Sequence, residues 1–129
     1  MQPLPPPGKR DPYLVHQVKS FGYAFEGLSF SFKKGTHFKI HTAAAVVITI
    51  LGFAYAISSY EWLILILISS AVISAEAMNT AVEEACDVIH PEHHPGARMA
   101  KHCAAGAVLI LSIAAIIIGL IIFLPKIFV

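Results

Sequence analysis

Charged residues are scarce in this chain of 129 residues: they make up 13% of it, whereas hydrophobic residues make up 57%. Such a composition lies outside the range of soluble globular proteins, so lipid is the expected solvent for much of the surface. The formal net charge is only +1. Because no basic run alternates with aromatic residues, the sequence argues against a nucleic-acid partner.

Cysteine is also rare, and a signal peptide is not apparent. Cys86 and Cys103 border apolar segments on the side predicted below to be cytoplasmic, so we expect reduced thiols that pack against other helices. The N-terminus lacks the charged start and apolar run of a cleavable signal peptide. Residues 1–12, rich in proline, are predicted to form a disordered tail, and residues 13–129 a single membrane domain.

Three apolar stretches approach the length of about 20 residues that a helix needs to cross a bilayer. They run from Ile40 to Ser58, from Trp62 to about Ala75 and onward through a mixed segment to Ile89, and from His102 to Leu124. The first two are separated only by the residues from Ser59 to Glu61. This short separation predicts an antiparallel hairpin.

The basic residues predict the orientation. Most of them precede the first span or lie between the second and third: Lys9, Arg10, Lys19, Lys33, Lys34, Lys39, Arg98 and Lys101. The positive-inside rule places the N-terminus and the second loop in the cytoplasm. Lys126 is the exception on the outer side.

An amphipathic helix is predicted before the first span. Apolar residues recur there at alternating steps of four and three: Leu14, Val18, Phe21, Phe25, Leu28 and Phe32. This spacing puts them on one helical face, and such a helix is expected to lie on the membrane surface. The predicted fold is therefore an all-α membrane protein with an N-terminal amphipathic surface helix and three transmembrane helices.

Polar residues gather at the end of the second span. If the helix continues, one face carries Glu76, Asn79, Thr80, Glu83 and Asp87. Ionisable side chains within a span are costly unless they are paired, hydrated or bound to an ion, so this stripe is a candidate functional site. The alternative is that these residues form polar contacts between helices and have no catalytic role.

The spacing of the two glutamates indicates separate roles. Glu76 and Glu83 lie two helical turns apart, about 10 Å along the axis, so they cannot share one metal ion directly. One carboxylate would hold Mg²⁺ bridging nucleotide phosphates, while the other acts as general base on a lipid hydroxyl. Lys101, on the same membrane side, would neutralise charge on a transferring phosphoryl group.

These residues belong to a longer pattern. Glu76-x-x-Asn79-Thr80-Ala81-Val82-Glu83, followed by Asp87 and by His94-Pro95-Gly96-Ala97-Arg98-Met99-Ala100-Lys101, resembles the signature of the bacterial integral-membrane diacylglycerol kinase family. His94-Pro95 and Ala104-Ala105-Gly106-Ala107-Val108 look more like its undecaprenol kinase branch. Tyr23-Ala24-Phe25-Glu26-Gly27-Leu28 and Phe38-Lys39-Ile40-His41 resemble the family's surface helix and the start of its first span. The similarity extends from about Val15 to Val108.

The resemblance implies a homotrimer in the bacterial inner membrane, with active sites shared between neighbours, that uses MgATP to phosphorylate a membrane lipid alcohol. It also implies undecaprenol as the preferred substrate and diacylglycerol as the next. By position, Glu83 matches the glutamate that holds the metal, Glu76 the general base or its partner, and Asn79 a substrate-orienting amide. Lys101 matches a lysine that contacts phosphate, Tyr23 an aromatic residue that contacts the nucleotide, and Asp87 an acidic residue near it.

Two positions depart from the family pattern. The family usually has a metal-binding glutamate where this chain has Gly35, and an aspartate where it has His102. Metal binding would then need water or a substitute such as Glu26 or Glu84. The alternative is a catalytically altered or inactive family member that acts as a lipid-binding or assembly module. A transporter subunit coupled through an acidic residue is less favoured, because the acidic residues gather toward one membrane face.

The histidines allow a further interpretation. His90, His93 and His94 would suit a transition metal. Because Pro91 and Pro95 interrupt helical spacing, an exposed loop is the favoured interpretation. Outside this cluster, the histidine at the start of the first span, His41, is interpreted as an interfacial residue near the lipid headgroups.

Overall fold

The computed structural model describes residues 12–128, and four α-helices contain most of them. Helix α1 spans Tyr13–Lys34, α2 Thr36–Ala54, α3 Ser59–Ile89 and α4 Pro95–Ile127. This described part of the chain contains no strand. Helices α2, α3 and α4 are each long and apolar enough to cross a membrane. The predicted all-α fold is therefore confirmed, while the predicted tail lies, apart from Pro12, outside the described residues.

Helix α1 carries the predicted apolar stripe on an exposed surface. Leu14 and Phe21 are 75% and 67% exposed, for example. The C-terminal end of α1 contacts the rest of the bundle, where Ser31 is buried and Lys34 forms an ion pair with Glu84 of α3. An exposed apolar face on a helix joined directly to a span is typical of a helix at a membrane surface.

The hairpin between α2 and α3 is present, but the prediction of its connecting residues was wrong. Helix α2 ends at Ala54, and residues 55–58 form the connection, whereas the stretch from Ser59 to Glu61 already belongs to α3. The Ser58 hydroxyl accepts a hydrogen bond from the Glu61 backbone N–H, and the Glu61 carboxylate accepts one from the Ser58 N–H. This capping box starts α3 before the apolar run begins.

A hydrophobic core lies where this connection meets the C-terminal part of α4. Ile57, Leu65, Ile122 and Phe123 are each between 4% and 7% exposed and pack together. The Trp62 ring packs beside them. We call this part of the bundle, from Ile57 and Trp62 to Phe123, the aromatic end.

Close helix packing at the aromatic end depends on a glycine. A Cβ at Gly52 would lie only 2.7 Å from the Trp62 ring. The same ring also packs against Phe53, with 4.8 Å between ring centroids. Lys126, the basic residue that departs from the predicted charge bias, lies 3.2 Å from Glu61 in an ion pair. The outlying lysine therefore has an acidic partner on its own side of the bundle.

The opposite end of the bundle contains the polar stripe. Because α3 and α4 are antiparallel and pack against each other, the C-terminal turns of α3 lie beside the N-terminal turns of α4. We call this part, from Glu76 to Asp87 with Lys101, the acidic end. Cys86 and Cys103 are both free thiols, as expected, but only Cys86 is partly buried; Cys103 is exposed in this chain, so its expected packing stays a prediction.

Candidate active site

Helix α3 continues without a break through the polar segment. Neither glycine nor proline occurs between Ser59 and Ile89, and alanines, the strongest helix formers, recur in the second half. The helix stops just before Pro91, because a residue that precedes proline is driven out of the helical conformation. The polar stripe therefore lies on one helical face, as predicted.

Glu76 and Thr80 form the buried part of the stripe. Glu76 is 5% exposed and Thr80 is 6% exposed. The Thr80 hydroxyl donates a hydrogen bond of 3.0 Å to the backbone oxygen of Glu76, so it does not serve the carboxylate. The polar partner of the Glu76 carboxylate is the imidazole of His41 on α2, whose Nε2 lies 3.3 Å from Oε1 of Glu76. A carboxylate buried this deeply requires such a partner.

Asn79 and Glu83 form a second pair, one turn further along α3. The Asn79 amide Nδ2 donates a hydrogen bond of 2.9 Å to Oε1 of Glu83, which is half-buried. The Asn79 Oδ1 is buried, and within residues 12–128 no group donates a hydrogen bond to it. Buried acceptors are nearly always satisfied in folded proteins, so this oxygen has an open place for a donor or a cation.

Asp87 and Lys101 join α3 to α4. Lys101 Nζ lies 2.5 Å from Oδ1 of Asp87, and the Asp87 side chain is 57% exposed. Beside this ion pair lies an open cavity of about 390 Å³. Its walls come from the last turn of α3, the connecting loop and the first turns of α4, and they include His90, His94 and Arg98. Two of the residues predicted to contact the nucleotide, Asp87 and Lys101, therefore line one cavity.

The histidine loop is exposed, as predicted. The rings of His90 and His94 stack with 4.4 Å between centroids. His94 Nδ1 also accepts a hydrogen bond of 3.1 Å from the Gly96 backbone N–H, which caps the start of α4. Across the described residues, no group of three His, Cys, Asp or Glu side chains could hold a metal ion by itself. The loop is thus part of the cavity wall and the helix cap.

Tyr23 is not joined to the other candidate residues. It lies on α1 and is 60% exposed. In the part of the chain that the structure describes, no hydrogen bond or ring contact connects it to the acidic end. Its predicted contact with the nucleotide stays a prediction.

The two departures from the family pattern lie in different surroundings. Gly35 connects α1 to α2, and a Cβ there would lie 2.9 Å from the Ser31 backbone oxygen and 3.1 Å from the Phe38 Cβ. His102 is exposed on the first part of α4. Of the possible substitutes, Glu84 is engaged by Lys34, and Glu26 is exposed on α1. Within the described residues, neither side chain makes a hydrogen bond or ion pair with Asn79 or Glu83.

The oxygen groups around Glu83 nevertheless suit Mg²⁺. This ion keeps several water ligands and is commonly held by one or two carboxylates together with substrate phosphates, so it does not need a cluster of protein ligands. A half-buried carboxylate beside the open Oδ1 of Asn79 is a donor set of that type. The residues present therefore fit the predicted ion.

Sequence reasoning missed the contact between His41 and Glu76. It treated His41 as a headgroup residue, although an ionisable side chain inside an apolar run is itself a signal of a buried polar partner. The walls of the cavity were also missed. They combine residues from two helices and a loop, and no sequence spacing reveals that combination.

Comparison with known proteins identifies the family of this chain. A family model described as prokaryotic diacylglycerol kinase matches residues 22–123. The chain belongs to the prokaryotic diacylglycerol kinase family. Together with the three candidate spans, membership of this family identifies a membrane protein.

Relatives in this family carry two kinds of name. The undecaprenol kinase of Bacillus subtilis is 43% identical over 108 residues, which cover 84% of this chain and 88% of that protein. A diacylglycerol kinase of Synechocystis is 37% identical over 107 residues, 82% of this chain and 61% of that protein. A diacylglycerol kinase of Haemophilus influenzae is 32% identical over 111 residues, 85% of this chain and 94% of that protein. The family resemblance seen in the sequence is thereby confirmed.

Proposed function

We propose that the chain is a lipid kinase that transfers a phosphoryl group from ATP to the hydroxyl of a membrane lipid. The observation that carries this proposal is the acidic end itself. There the Asn79–Glu83 pair on α3 lies near Lys101, which Asp87 holds beside an open cavity. The names of the relatives support the same activity.

The nucleotide would bind in the cavity between α3 and α4. Lys101 and Arg98 offer cationic groups for phosphate oxygens, and cationic clamps of this type stabilise the charge of a transferring phosphoryl group. Asp87 holds Lys101 in place through the 2.5 Å contact. Tyr23 would cover the nucleotide from a surface helix.

Glu83 would hold Mg²⁺, with the Asn79 amide keeping its carboxylate in place. When bound, this ion neutralises charge on the nucleotide phosphates. The open Oδ1 of Asn79 would accept a hydrogen bond from the lipid hydroxyl or from a water molecule at the site. Asn79 would thus orient the substrate while it restrains Glu83.

In the transfer step, the lipid oxygen forms a bond to the γ-phosphorus while the bond from that phosphorus to the bridging oxygen of ATP breaks. ADP leaves, and the hydroxyl proton passes to a carboxylate. Glu76 is our choice of general base and Glu83 is the other candidate, since both lie on the stripe. Positioning and electrostatics carry most of the catalysis in such a reaction.

The site would face the cytoplasm of a bacterial cell, in the inner membrane. Lys33, Lys34, Arg98 and Lys101 all lie toward the acidic end, in keeping with the positive-inside rule. We further propose a homotrimer, as the resemblance implies. A single chain leaves much of the apolar surface exposed, and neighbouring copies would shield both this surface and the acidic stripe.

Undecaprenol is the proposed substrate, with diacylglycerol next. This order follows the identities, since the relative named undecaprenol kinase is 43% identical and the two named diacylglycerol kinase are 37% and 32% identical. Both substrates present a primary hydroxyl on a hydrophobic molecule, so the proposed chemistry is the same for either lipid.

One observation favours a second candidate function. A side chain at Gly35 would collide with the Ser31 backbone, so the missing carboxylate has no room in the present turn. A family member with fewer metal ligands would act as a lipid-binding or assembly module. The first experiment distinguishes these two functions.

That experiment is transfer of labelled phosphate from ATP to undecaprenol and to diacylglycerol by the purified protein in mixed micelles with Mg²⁺. We expect product with both lipids and a higher kcat/KM for undecaprenol. Chelation of Mg²⁺ should stop the reaction. Glu83→Ala should lower the rate by about 100-fold or more, the size of effect seen when one electrostatic group is removed from an active site.

The matched control is Glu84→Ala, which changes the neighbouring carboxylate that pairs with Lys34. It should keep most of the activity. Folded wild-type protein that phosphorylates neither lipid would exclude the kinase and favour the lipid-binding module. Product from the wild type that persists in Glu83→Ala would reject the role of Glu83.

A further inference from the structure

The carboxylate of Glu76 is held from a different helix. His41 lies on α2, near the start of the first span, and its Nε2 is 3.3 Å from Oε1 of Glu76. The side chain of Glu76 is 6% exposed and that of His41 is 23% exposed. The contact is therefore largely shielded from solvent and does not compete with water as a surface ion pair does.

Other groups near Glu76 do not perform this task. Thr80 directs its hydroxyl to the Glu76 backbone oxygen, and Asn79 directs its amide to Glu83. In the described part of the chain, the imidazole of His41 is the side chain in polar contact with the Glu76 carboxylate. Removing it would leave a buried carboxylate without a partner, which is costly.

Glu76 also lies on the same helical face as the predicted site. Asn79 and Glu83 follow it at offsets of three and seven residues, so all three side chains lie on one side of α3. The contact from α2 thus restrains a carboxylate that shares its face with the proposed metal-binding glutamate. A contact needed only for helix packing would not have to involve this residue.

We infer that His41 is a positioning residue, which holds the Glu76 carboxylate where it can accept the proton of the lipid hydroxyl. This inference rests on the proposed kinase function and deepens it. A general base must lie within hydrogen-bond reach of the proton that it removes, and a displacement of about 1 Å can lower a rate about 100-fold. His41 supplies restraint across the helix pair and does not itself touch the substrate.

The variants that test this inference are His41→Leu and His41→Gln in the full-length protein in mixed micelles. Leucine removes the polar contact, and we expect kcat to fall by roughly 10- to 100-fold. The KM values for lipid and ATP should change by less than about threefold, because the inference assigns His41 a contact with Glu76 and none with either ligand. Glutamine keeps an N–H donor on a side chain of similar length, and it should restore kcat to within about fivefold of the wild type.

The control variant is His37→Gln, one turn earlier on the same helix at an exposed position. It should retain wild-type kinetics. Thermal unfolding of each variant separates loss of fold from loss of rate. His41→Gln keeps the test valid if the leucine variant does not fold.

The possible outcomes separate the inference from the function on which it rests. Wild-type protein that phosphorylates neither lipid overturns the kinase function, and the inference with it. An active wild type together with a folded His41→Leu variant of unchanged kcat overturns the inference alone. A His41→Gln variant in which kcat and KM are both as impaired as in His41→Leu also overturns it, because that result indicates a structural role.

Discussion

The aromatic end of the bundle buries its apolar side chains against one another, whereas the acidic end has an open cavity and a buried amide oxygen to which no described residue donates a hydrogen bond. Helix α3 takes part in both ends. At its start, a capping box and the Trp62 ring join it to its neighbours; in its last turns, ion pairs from Lys34 and Lys101 do so. One long helix thus connects a packed region with an open one.

This difference indicates a division of roles. Close packing tolerates few changes, because an inserted methyl group has no space. Exposed ion pairs contribute little to stability, and they can be rearranged when a ligand arrives. We therefore expect substitutions in the exposed ion pairs of the acidic end to change activity with little effect on stability, and substitutions at the aromatic end to do the reverse.

The largest expected difference between the two ends is in the activity of their lysine variants. Lys101 and Lys126 each form one ion pair, with Asp87 and Glu61 respectively. Lys101→Met should lower kcat by roughly 100- to 1,000-fold, because it removes the cation that we propose neutralises charge on the transferring phosphoryl group. Lys126→Met should leave kcat within about twofold of the wild type. Phosphorylation rates in mixed micelles measure both values.

Thermal unfolding of Lys101→Met and Lys126→Met measures the effect of the two substitutions on stability. Each substitution removes a partly exposed ion pair, which is worth about 0–1 kcal/mol, so the two unfolding midpoints should be similar. Equal losses of activity in the two variants would break the proposed division between the ends.

The next effect is on stability at the aromatic end. An added methyl group in Gly52→Ala would meet the Trp62 ring at 2.7 Å and force it to move. Overpacking of this kind typically costs about 1–3 kcal/mol, against a gain in helix propensity of up to about 1 kcal/mol. We expect a net loss of stability in detergent-mediated unfolding, while the kcat of the folded protein stays unchanged.

Gly22→Ala is the matched control for this substitution. No atom lies within 4 Å of a Cβ at Gly22 on α1, so only the gain in helix propensity remains. An unfolding curve for Gly52→Ala that coincides with that of Gly22→Ala would show that the packing around Trp62 is loose.

The smallest effect concerns the capping box. Ser58→Ala removes the hydroxyl that accepts a hydrogen bond from the Glu61 N–H, and loss of such a cap costs about 1 kcal/mol. The same unfolding measurement applies. Ser59→Ala changes the adjacent hydroxyl, which makes no side-chain hydrogen bond in the described part of the chain, and should change stability by less. Equal losses of stability in Ser58→Ala and Ser59→Ala would show that the capping box does not stabilise the start of α3.

The helices were largely predictable because the relevant signals are local. Apolar runs of sufficient length predicted three spans, and a helix without glycine or proline carried the stripe from Glu76 to Asp87 on one face. The start of α3 was predicted too late. The short polar segment from Ser59 to Glu61 resembles a connection between helices, although Ser58 and Glu61 have the spacing of a capping box.

The candidate site was predictable only in part. Residue identities and the family pattern indicated Glu76, Asn79, Glu83, Asp87 and Lys101, and the structure joins them as two pairs and one buried carboxylate. The partner of that carboxylate was not foreseen, because His41 is remote in sequence and its role depends on how α2 crosses α3.

The sequence by itself determined that lipid surrounds much of the surface, how many helices cross the membrane and which helical face carries the carboxylates. These properties follow from composition and from a helical period of about 3.6 residues. Tertiary structure decided which side chain each carboxylate meets. It brought His41 to Glu76, Lys101 to Asp87 and Lys34 to Glu84. The physical reason is that contacts between helices depend on their relative position and rotation, which come from packing at sites such as Gly52 and Trp62 and not from any local pattern.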